Sequence, residues 1–452
     1  MQIQIPEKVN QVVHRLAEAG FEAYVVGGCV RDAILGRPAS DWDITTNAKP
    51  EQVKDLFPRT VDTGIQHGTV TVLLGKEGFE VTTYRIDGEY TDSRHPKEVI
   101  FTPSLLEDLK RRDFTINAMA YNDKDGLVDA FDGFGDLQRR QIRCVGNPEE
   151  RFTEDALRIL RAVRFSAQLD FSIEEKTREA IMRFAPNLSK ISAERIRVEI
   201  VKLLTSQHPE SWRTVYETGI SAVILPEFDV CMELSQNHPQ ASDSIGEHTL
   251  QALSRIEADK VLRLAVLLHG VGEEMAGKIL RRLKFDNETL RRVKHLVKVH
   301  DALQIEPNQL SVRRAVFQIG EEYFSDYLKM RRVDILAKNP AVQQERLELL
   351  GQIEDLYQKI LEEKHCLSLK DLAVTGRDLI EAGVVPGPRL GKILNELLEL
   401  VIENPEYNTK EYLMSRIPEK VYPEGHHDMP PSGGKLRYTL KGTTICHPPG
   451  AN

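Results

Sequence analysis

The sequence predicts an α+β chain, with a small mixed β-sheet near the N-terminus and helices in almost everything that follows. Two changes of pattern carry this reading. Over roughly the first 140 residues, helical stretches alternate with short apolar runs such as AYVVGG, HGTVTVLL, FEVTTYRI and GLVDAF, bounded by Gly, Asp and Asn. That is α/β or α+β patterning with a small sheet. From about residue 150 the apolar period becomes 3.6, in segments such as EDALRILRAVRFSAQL, AERIRVEIVKLL and LGKILNELLELVIE. Breaks near Pro226, Pro307, Pro340 and Pro386 punctuate the helical part. From about Val421 the periodicity ends in a stretch rich in Pro, Gly and His, expected to be a flexible or loosely docked tail.

A chain of 452 residues is too long for one ordinary core, so roughly two to four domains are expected. Apolar residues make up 41% and charged residues 29%, the profile of a soluble globular protein. No run approaches the roughly 18 apolar residues that a membrane span needs. The opening MQIQIPEKVNQVVHRLAEAG reads as an amphipathic helix with Val9, Val12, Val13 and Leu16 on one face, rather than as a signal peptide. Cys29, Cys144, Cys231, Cys366 and Cys446 are dispersed without metal-ligand spacing or a disulfide pattern, so a reducing cytoplasm is the expected compartment. The formal net charge of −9 excludes blanket attraction to nucleic acid. Any RNA must therefore be met by local basic faces.

Residues 24–46 read YVVGGCVRDAILGRPASDWDITT. An apolar run enters Gly27 and Gly28, a short helix follows, and Gly36 is placed to end it. Two glycines at a strand-to-helix turn let the backbone approach a ligand, and the new helix's free amides favour an anion such as a triphosphate. Asp41 and Asp43 stand two apart, so on an extended strand both point to one side. Buried together without cations they would repel, and one would stay protonated. Mg²⁺ resolves that conflict, because it takes hard oxygen ligands and leaves positions for water and phosphate. Glu80, on the strand-like FEVTTYR, is the best third carboxylate. With two ions, one lowers the pKa of an attacking hydroxyl and the other steadies the leaving pyrophosphate.

GGCVRDAILG followed by DWD resembles the signature of the class II tRNA nucleotidyltransferase and bacterial poly(A) polymerase family. Later stretches fit the same order: RRDFTINAMAY at 111–121, DAFDGFGDLQRRQIR at 129–143, EDALRILRAVRF at 154–165 and AERIRVEIVKLL at 193–204. The resemblance implies a nucleotidyltransferase head followed by helical neck, body and tail. Boundaries are expected at 1–140, 141–205, 206–305 and 306–420, with an extension over 421–452. It also implies transfer of nucleotides from CTP and ATP to the 3′ acceptor end of tRNA, with two Mg²⁺ ions at Asp41 and Asp43 and Glu80 assisting. Gly27, Gly28 and Arg31 then position the triphosphate, and Arg112, Asp113 and Asn117 recognise the ribose.

In EDALR, Asp155 and Arg158 lie three apart, on one helix face. A planar Arg fork and an Asp acceptor together match the Watson–Crick edges of C and A, whereas G and U leave groups unpaired. The resemblance implies that this pair is the protein's template, buttressed by Glu154 and Arg161. It likens GEYTDSRHPKEVIFTPSL, with Asp92 and Arg94, to the loop that CCA-adding members use to switch from C to A. IGEHTLQAL and LRLAVLLHGVGEE resemble an HD-type phosphohydrolase domain. Gly270 stands where its Asp belongs, so a degenerate scaffold without hydrolase chemistry is expected. RRLKFDNETLRRVKHLVKVH is locally basic, and Arg291, Arg292 and Lys294 are candidates for gripping RNA phosphates. VTGRDLIEAGVVPGPRLGKILNELL resembles the tail of the CCA-adding branch, with Arg389 at a helix start beside phosphates. The rival readings are an A-adding, CC-adding or poly(A)-forming enzyme, an HD phosphodiesterase, or a non-catalytic RNA-binding protein.

Overall fold

The computed structural model describes residues 2–39, 41–87, 99–234, 244–300, 304–338 and 340–417. Asp92, Arg94 and the extension from Val421 lie outside the described residues. The chain divides into two compact units, Met1–Glu363 and a second beginning at Lys364.

The expected mixed sheet is present. Its strands are β1 (Ala23–Val26), β2 (Ile44–Thr46), β3 (Thr60–Gly64), β4 (Thr69–Leu74), β5 (Glu77–Thr83), β8 (Met119–Asn122) and β9 (Gly126–Asp129). Their spatial order is β3-β4-β5-β2-β1-β8-β9. Only the β2–β5 pair is parallel; the others are antiparallel. A separate ribbon pairs β6 (Arg85–Asp87) with β7 (Val99–Phe101). The alternating TVTVLL of β4 buries Val70 and Val72, and all four residues of β1 are buried. Helix α1 (Glu7–Glu18) buries Val9, Val12, Val13 and Leu16, the face expected for it. Each such burial contributes about 1.5–3 kcal/mol relative to exposure. Helix α2 (Gly28–Ile34) ends at Leu35, and Gly36 follows at φ +66°, the left-handed turn that Gly adopts without a Cβ penalty.

The helices α3 (Pro50–Leu56), α4 (Leu105–Lys110) and α5 (Gly133–Arg139) complete the sheet-bearing region. Beyond it come α6 (Pro148–Glu154), α7 (Leu157–Leu169), α8 (Glu175–Phe184) and α9 (Ala193–Leu204). The stretch expected to run as one helix from Glu154 is broken. Asp155 adopts extended angles (φ −141°, ψ 102°) between α6 and α7, and its carboxylate accepts from the Leu157 amide at 3.0 Å. That bond satisfies one of the free amides at the start of α7, which is the usual reason an Asp interrupts a helix here. Helices α7 and α9 pack against each other. In the second unit Thr375 caps Gly376–Glu381 with a reciprocal box to Asp378, and Pro388–Glu403 starts at Pro388, one residue ahead of Arg389.

Candidate active site

Strand topology assembles the site at the ends of the sheet's central strands. β1 runs antiparallel to both β2 and β8, so the end of β1 lies beside the starts of the other two. The Gly27 turn after β1, Asp43 before β2 and Asn117 before β8 therefore meet. β5 is parallel to β2 with Val81 opposite Ile44, which puts Glu80 level with Asp43. Asp41 and Asp43 precede β2 rather than lying within it. Asp43 keeps the extended pairing all the same, because its carbonyl accepts from the Val26 amide at 3.0 Å.

Asp41, Asp43 and Glu80 line a cleft of about 790 Å³, together with Trp42 and Lys8. Burial pushes the Asp43 carboxyl up, Arg112 opposes the rise and Asp41 adds to it. Burial likewise raises Glu80, reinforced by the charges of Asp43 and then Asp41. A carboxylate pushed up by its neighbouring carboxylates is short of positive charge, and an all-oxygen donor set of this kind fits a hard divalent cation.

Gly27 has φ +86°, and a Cβ built there would stand 3.0 Å from Nη1 of Arg112. Glycine thus provides both the backbone conformation and the space for the Arg112 guanidinium. That guanidinium is near Asp43, lies 3.6 Å from Asp108, and leaves its buried Nε without a hydrogen-bond partner. Arg112 therefore sits with the glycine turn and the carboxylates. Arg31 reaches both groups: a Cβ built on Gly28 would stand 3.6 Å from its Nη2, and its Nη1 donates to Asn117 Oδ1 at 2.7 Å. Asp113 Oδ1 accepts from the Phe114 amide at 2.8 Å and from Asn117 Nδ2 at 3.2 Å. Its Oδ2 accepts from Arg161 Nε and Nη2 at 2.8 and 2.6 Å. Burial alone would raise the Asp113 carboxyl, but the Arg161 charge and bonds outweigh it and hold the group well below the usual range.

The Asp155–Arg158 pair differs from the expectation of one continuous helix face. With Asp155 outside α7, the two side chains take different partners. Arg158 donates to Glu154 Oε2 at 2.6 Å and to the Arg111 carbonyl at 2.8 Å. Asp155 accepts from Arg195 on α9, at 3.3 and 2.8 Å. Glu154 does brace Arg158, whereas the hydrogen bonds of Arg161 go to Asp113. Arg151 donates to the Lys110 carbonyl at 3.0 Å, so Arg151 and Arg158 both tie this helical segment to the 110–113 turn.

Sequence pattern alone does not single out Arg195, Arg151, Arg164 and Glu199. Arg164 and Glu199 form an ion pair at 2.5 Å with side chains 7% and 5% exposed, directly behind Arg161. The periodicity of AERIRVEIVKLL placed Glu199 on a helix, but pairing between helices leaves no periodic signal. In the basic helix Asn287–Val299, Arg291 pairs with Glu322 at 3.1 Å, Arg292 with Asp326 at 2.9 Å and Lys294 with Glu273 at 3.4 Å. Its charge is thus met by acids from neighbouring helices. Arg389 is exposed at the start of its own helix.

Comparison with known proteins matches three families: the Poly A polymerase head domain over residues 23–143, the probable RNA and SrmB-binding site of polymerase A over 170–232, and the putative tRNA nucleotidyltransferase domain 2 over 257–417. The chain is 41% identical to a CCA-adding enzyme of Lactobacillus delbrueckii subsp. bulgaricus, over 90% of this chain and 97% of that protein. It is 40% identical to one of Levilactobacillus brevis, over 91% and 97%. Among solved structures, the Bacillus stearothermophilus CCA-adding enzyme in complex with CTP is similar with a TM-score of 0.72 and 32% identity, covering 91% of this chain and 98% of that one.

Proposed function

The chain belongs to the CCA-adding enzyme family of nucleotidyltransferases, and from that premise we propose that it adds C, C and A to the 3′ end of tRNA. CTP and ATP are the donors, pyrophosphate is released, and no nucleic-acid template is used. The observation that carries this reading is the convergence of Asp41, Asp43 and Glu80 on the ends of the central strands, where Gly27 and Arg112 also lie.

In this reading Asp41 and Asp43 hold two Mg²⁺ ions and Glu80 assists. When bound, the ions favour the ionised 3′-hydroxyl and neutralise charge on the leaving group. The 3′-oxygen attacks the α-phosphorus and forms a new P–O bond. The bond from that phosphorus to the β-phosphate bridge breaks, and the hydroxyl proton passes to solvent. Gly27, Gly28 and Arg31 position the triphosphate, and the placement of Arg112 makes it a further candidate for that task. Asp113 and Asn117, held by Arg161 and Arg31, present polar groups to the ribose. Arg158 and Asp155, each fixed by a separate partner, read the base edge, and G or U would cost roughly 1–3 kcal/mol per unpaired group.

We read the chain's division of labour as head (1–140), neck (141–205), body (206–305) and tail (306–420). Arg389 contacts tRNA from the tail, and Arg291, Arg292 and Lys294 do so from the body by exchanging their internal ion pairs for phosphates. No helix among the described residues is long and apolar enough to cross a membrane. Cys29, Cys144, Cys231 and Cys366 are free thiols, which fits a reducing cytoplasm. The test is extension of a tRNA transcript lacking its terminal CCA, with Mg²⁺, CTP and ATP. Growth by three nucleotides is expected from the wild type and none from Asp43→Asn. An unextended transcript with the wild type would overturn the reading.

A further inference from the structure

In the sheet order β3-β4-β5-β2-β1-β8-β9, the Asp41–Asp43 segment leads into β2 and meets different neighbours on its two flanks. On the β1–β8 flank lies the glycine turn, where the Gly27 amide donates to the Met119 carbonyl at 3.1 Å. On the β5–β4 flank lies the cleft of about 790 Å³. Its lining takes Glu80 and Phe79 from β5, Thr71 from β4, and Pro6 and Val9 from around the start of α1. Trp42 stands between the two carboxylates in the chain, lines the same cleft and is half-buried. The volume is that of an ordinary small-ligand pocket.

The chemistry gives the two flanks different halves of the reaction, an argument that rests on nucleotidyl transfer being that reaction. Attacking and leaving oxygens stand roughly in line across the phosphorus. A triphosphate whose tail rests at Gly27 and Arg112 is therefore met by the hydroxyl from the opposite flank, where the cleft lies. The cleft is lined by five acidic side chains, Glu7, Asp41, Asp43, Glu77 and Glu80, against Lys8, which already pairs with Glu77. Apart from bound cations, it offers an RNA phosphate little attraction. The RNA end must then be held by its base. That base changes as the RNA grows, from whichever one precedes CCA to C and then to C again. A hydrogen-bonding pocket built for one of them would leave groups unpaired with the others. Every base offers a π-face, however, and an indole provides a large, rigid surface for it.

We propose that Trp42 is the platform on which the 3′-terminal base of the RNA stacks, seating the terminal hydroxyl at Asp41 and Asp43. Trp42 is one residue from each carboxylate, about 3.8 Å from Cα to Cα, so the ring and the acidic groups move as one segment. The Asp43 carbonyl fixes that segment by accepting from the Val26 amide at 3.0 Å. Pro6, Val9 and Phe79 add apolar wall to the same cleft. A stack of this kind reads no base edge. It adds affinity for the RNA end without sequence preference and without the salt dependence of phosphate contacts.

The chain has two tryptophans, and Trp212 is fully buried at 0% exposed, so indole fluorescence on RNA binding reports Trp42. The full chain, with Mg²⁺ and no nucleoside triphosphate, is titrated with a tRNA transcript ending after CC and with the same transcript lacking its last base. The intact end should quench the fluorescence, the abasic end should quench it less, and Trp42→Phe should show no quench. Steady-state addition of A then separates the two substrates. Trp42→Leu should raise KM for the RNA about 5- to 100-fold and move KM for ATP far less, with most of the RNA affinity recovered in Trp42→Phe. Removing the RNA base should weaken the wild type by a similar factor and Trp42→Leu hardly further. The abasic comparison needs only the wild type, so it stands even where the Leu variant folds poorly. No quench in the wild type, equal quench by the abasic end, or an unchanged RNA KM in Trp42→Leu would each overturn the proposal. Because the quench needs no turnover, stacking without extension would sink the nucleotidyl-transfer reading, whereas extension indifferent to Trp42 would sink the platform alone.

Discussion

Replacing Asp113 with Asn removes the charge that holds Arg161 against the 113–117 segment while preserving the shape of the side chain. Asp113 is 8% exposed and receives two charge-assisted bonds from Arg161, at 2.8 and 2.6 Å. Removing one partner of a buried pair costs about 3–5 kcal/mol. Two features reduce that figure. The Arg161 side chain is 33% exposed, and Glu199 lies 4.0 Å away to take part of its charge. The Asn oxygen also still accepts one bond, so Asp113→Asn should cost about 2–3 kcal/mol at pH 7. The pH dependence has a fixed sign. The Asp113 carboxyl is held below its unfolded value, so its contribution is complete above about pH 4 and is lost as pH falls toward the folded pKa. Urea unfolding of both proteins from pH 7 downward should show a constant gap to about pH 5 and a closing gap below pH 4. A cost under about 1 kcal/mol at neutral pH, or a gap that widens in acid, would refute the reasoning.

Other substitutions separate stability from chemistry. Asp43→Asn should abolish nucleotide incorporation yet leave the metal-free protein as stable as the wild type or more so, because the Asp43 carboxyl is pushed up by burial and by Asp41, and its charge pushes up Glu80 in turn; thermal melts in chelator together with extension assays check both halves. Gly27→Ala forces a side chain into φ +86° and against Arg112. It should cost about 1–3 kcal/mol and raise KM for the nucleotide, measured by unfolding and steady-state kinetics. Arg158→Ala should relax the choice of base, narrowing the preference for CTP and ATP over UTP and GTP by roughly 1–3 kcal/mol per lost contact, read as ratios of kcat/KM.

Much of the architecture is legible in the sequence because period and punctuation encode it. The alternation in TVTVLL, the apolar face of Glu7–Glu18 and the glycines at 27, 28 and 36 all reappear where expected. Strand β2 is less visible, since ITT is only three residues long and its pairing with β5 is nonlocal. Candidate residues were legible by type and order, but their partners were not. Nothing local in EDALR says that Asp155 leaves the helix to cap α7 and meet Arg195, 40 positions on. The same limit hides the acids opposite Arg291 and Arg292 and the His248–Asp334 contact, 86 positions apart. Long-range charge pairing depends on how helices cross, which the sequence pattern of one helix does not carry.

Stepwise addition of C, C and A by one site in this chain can be followed one nucleotide at a time. Its most direct measurement is single-turnover extension of tRNA transcripts that lack CCA, end after one C, or end after CC, each given CTP, ATP, UTP or GTP singly and then CTP with ATP. C is expected on the first two transcripts, A on the third, a halt after the final A, and no use of UTP or GTP. Addition of A alone, a halt after CC, an untemplated ladder of A, or no incorporation would contradict it.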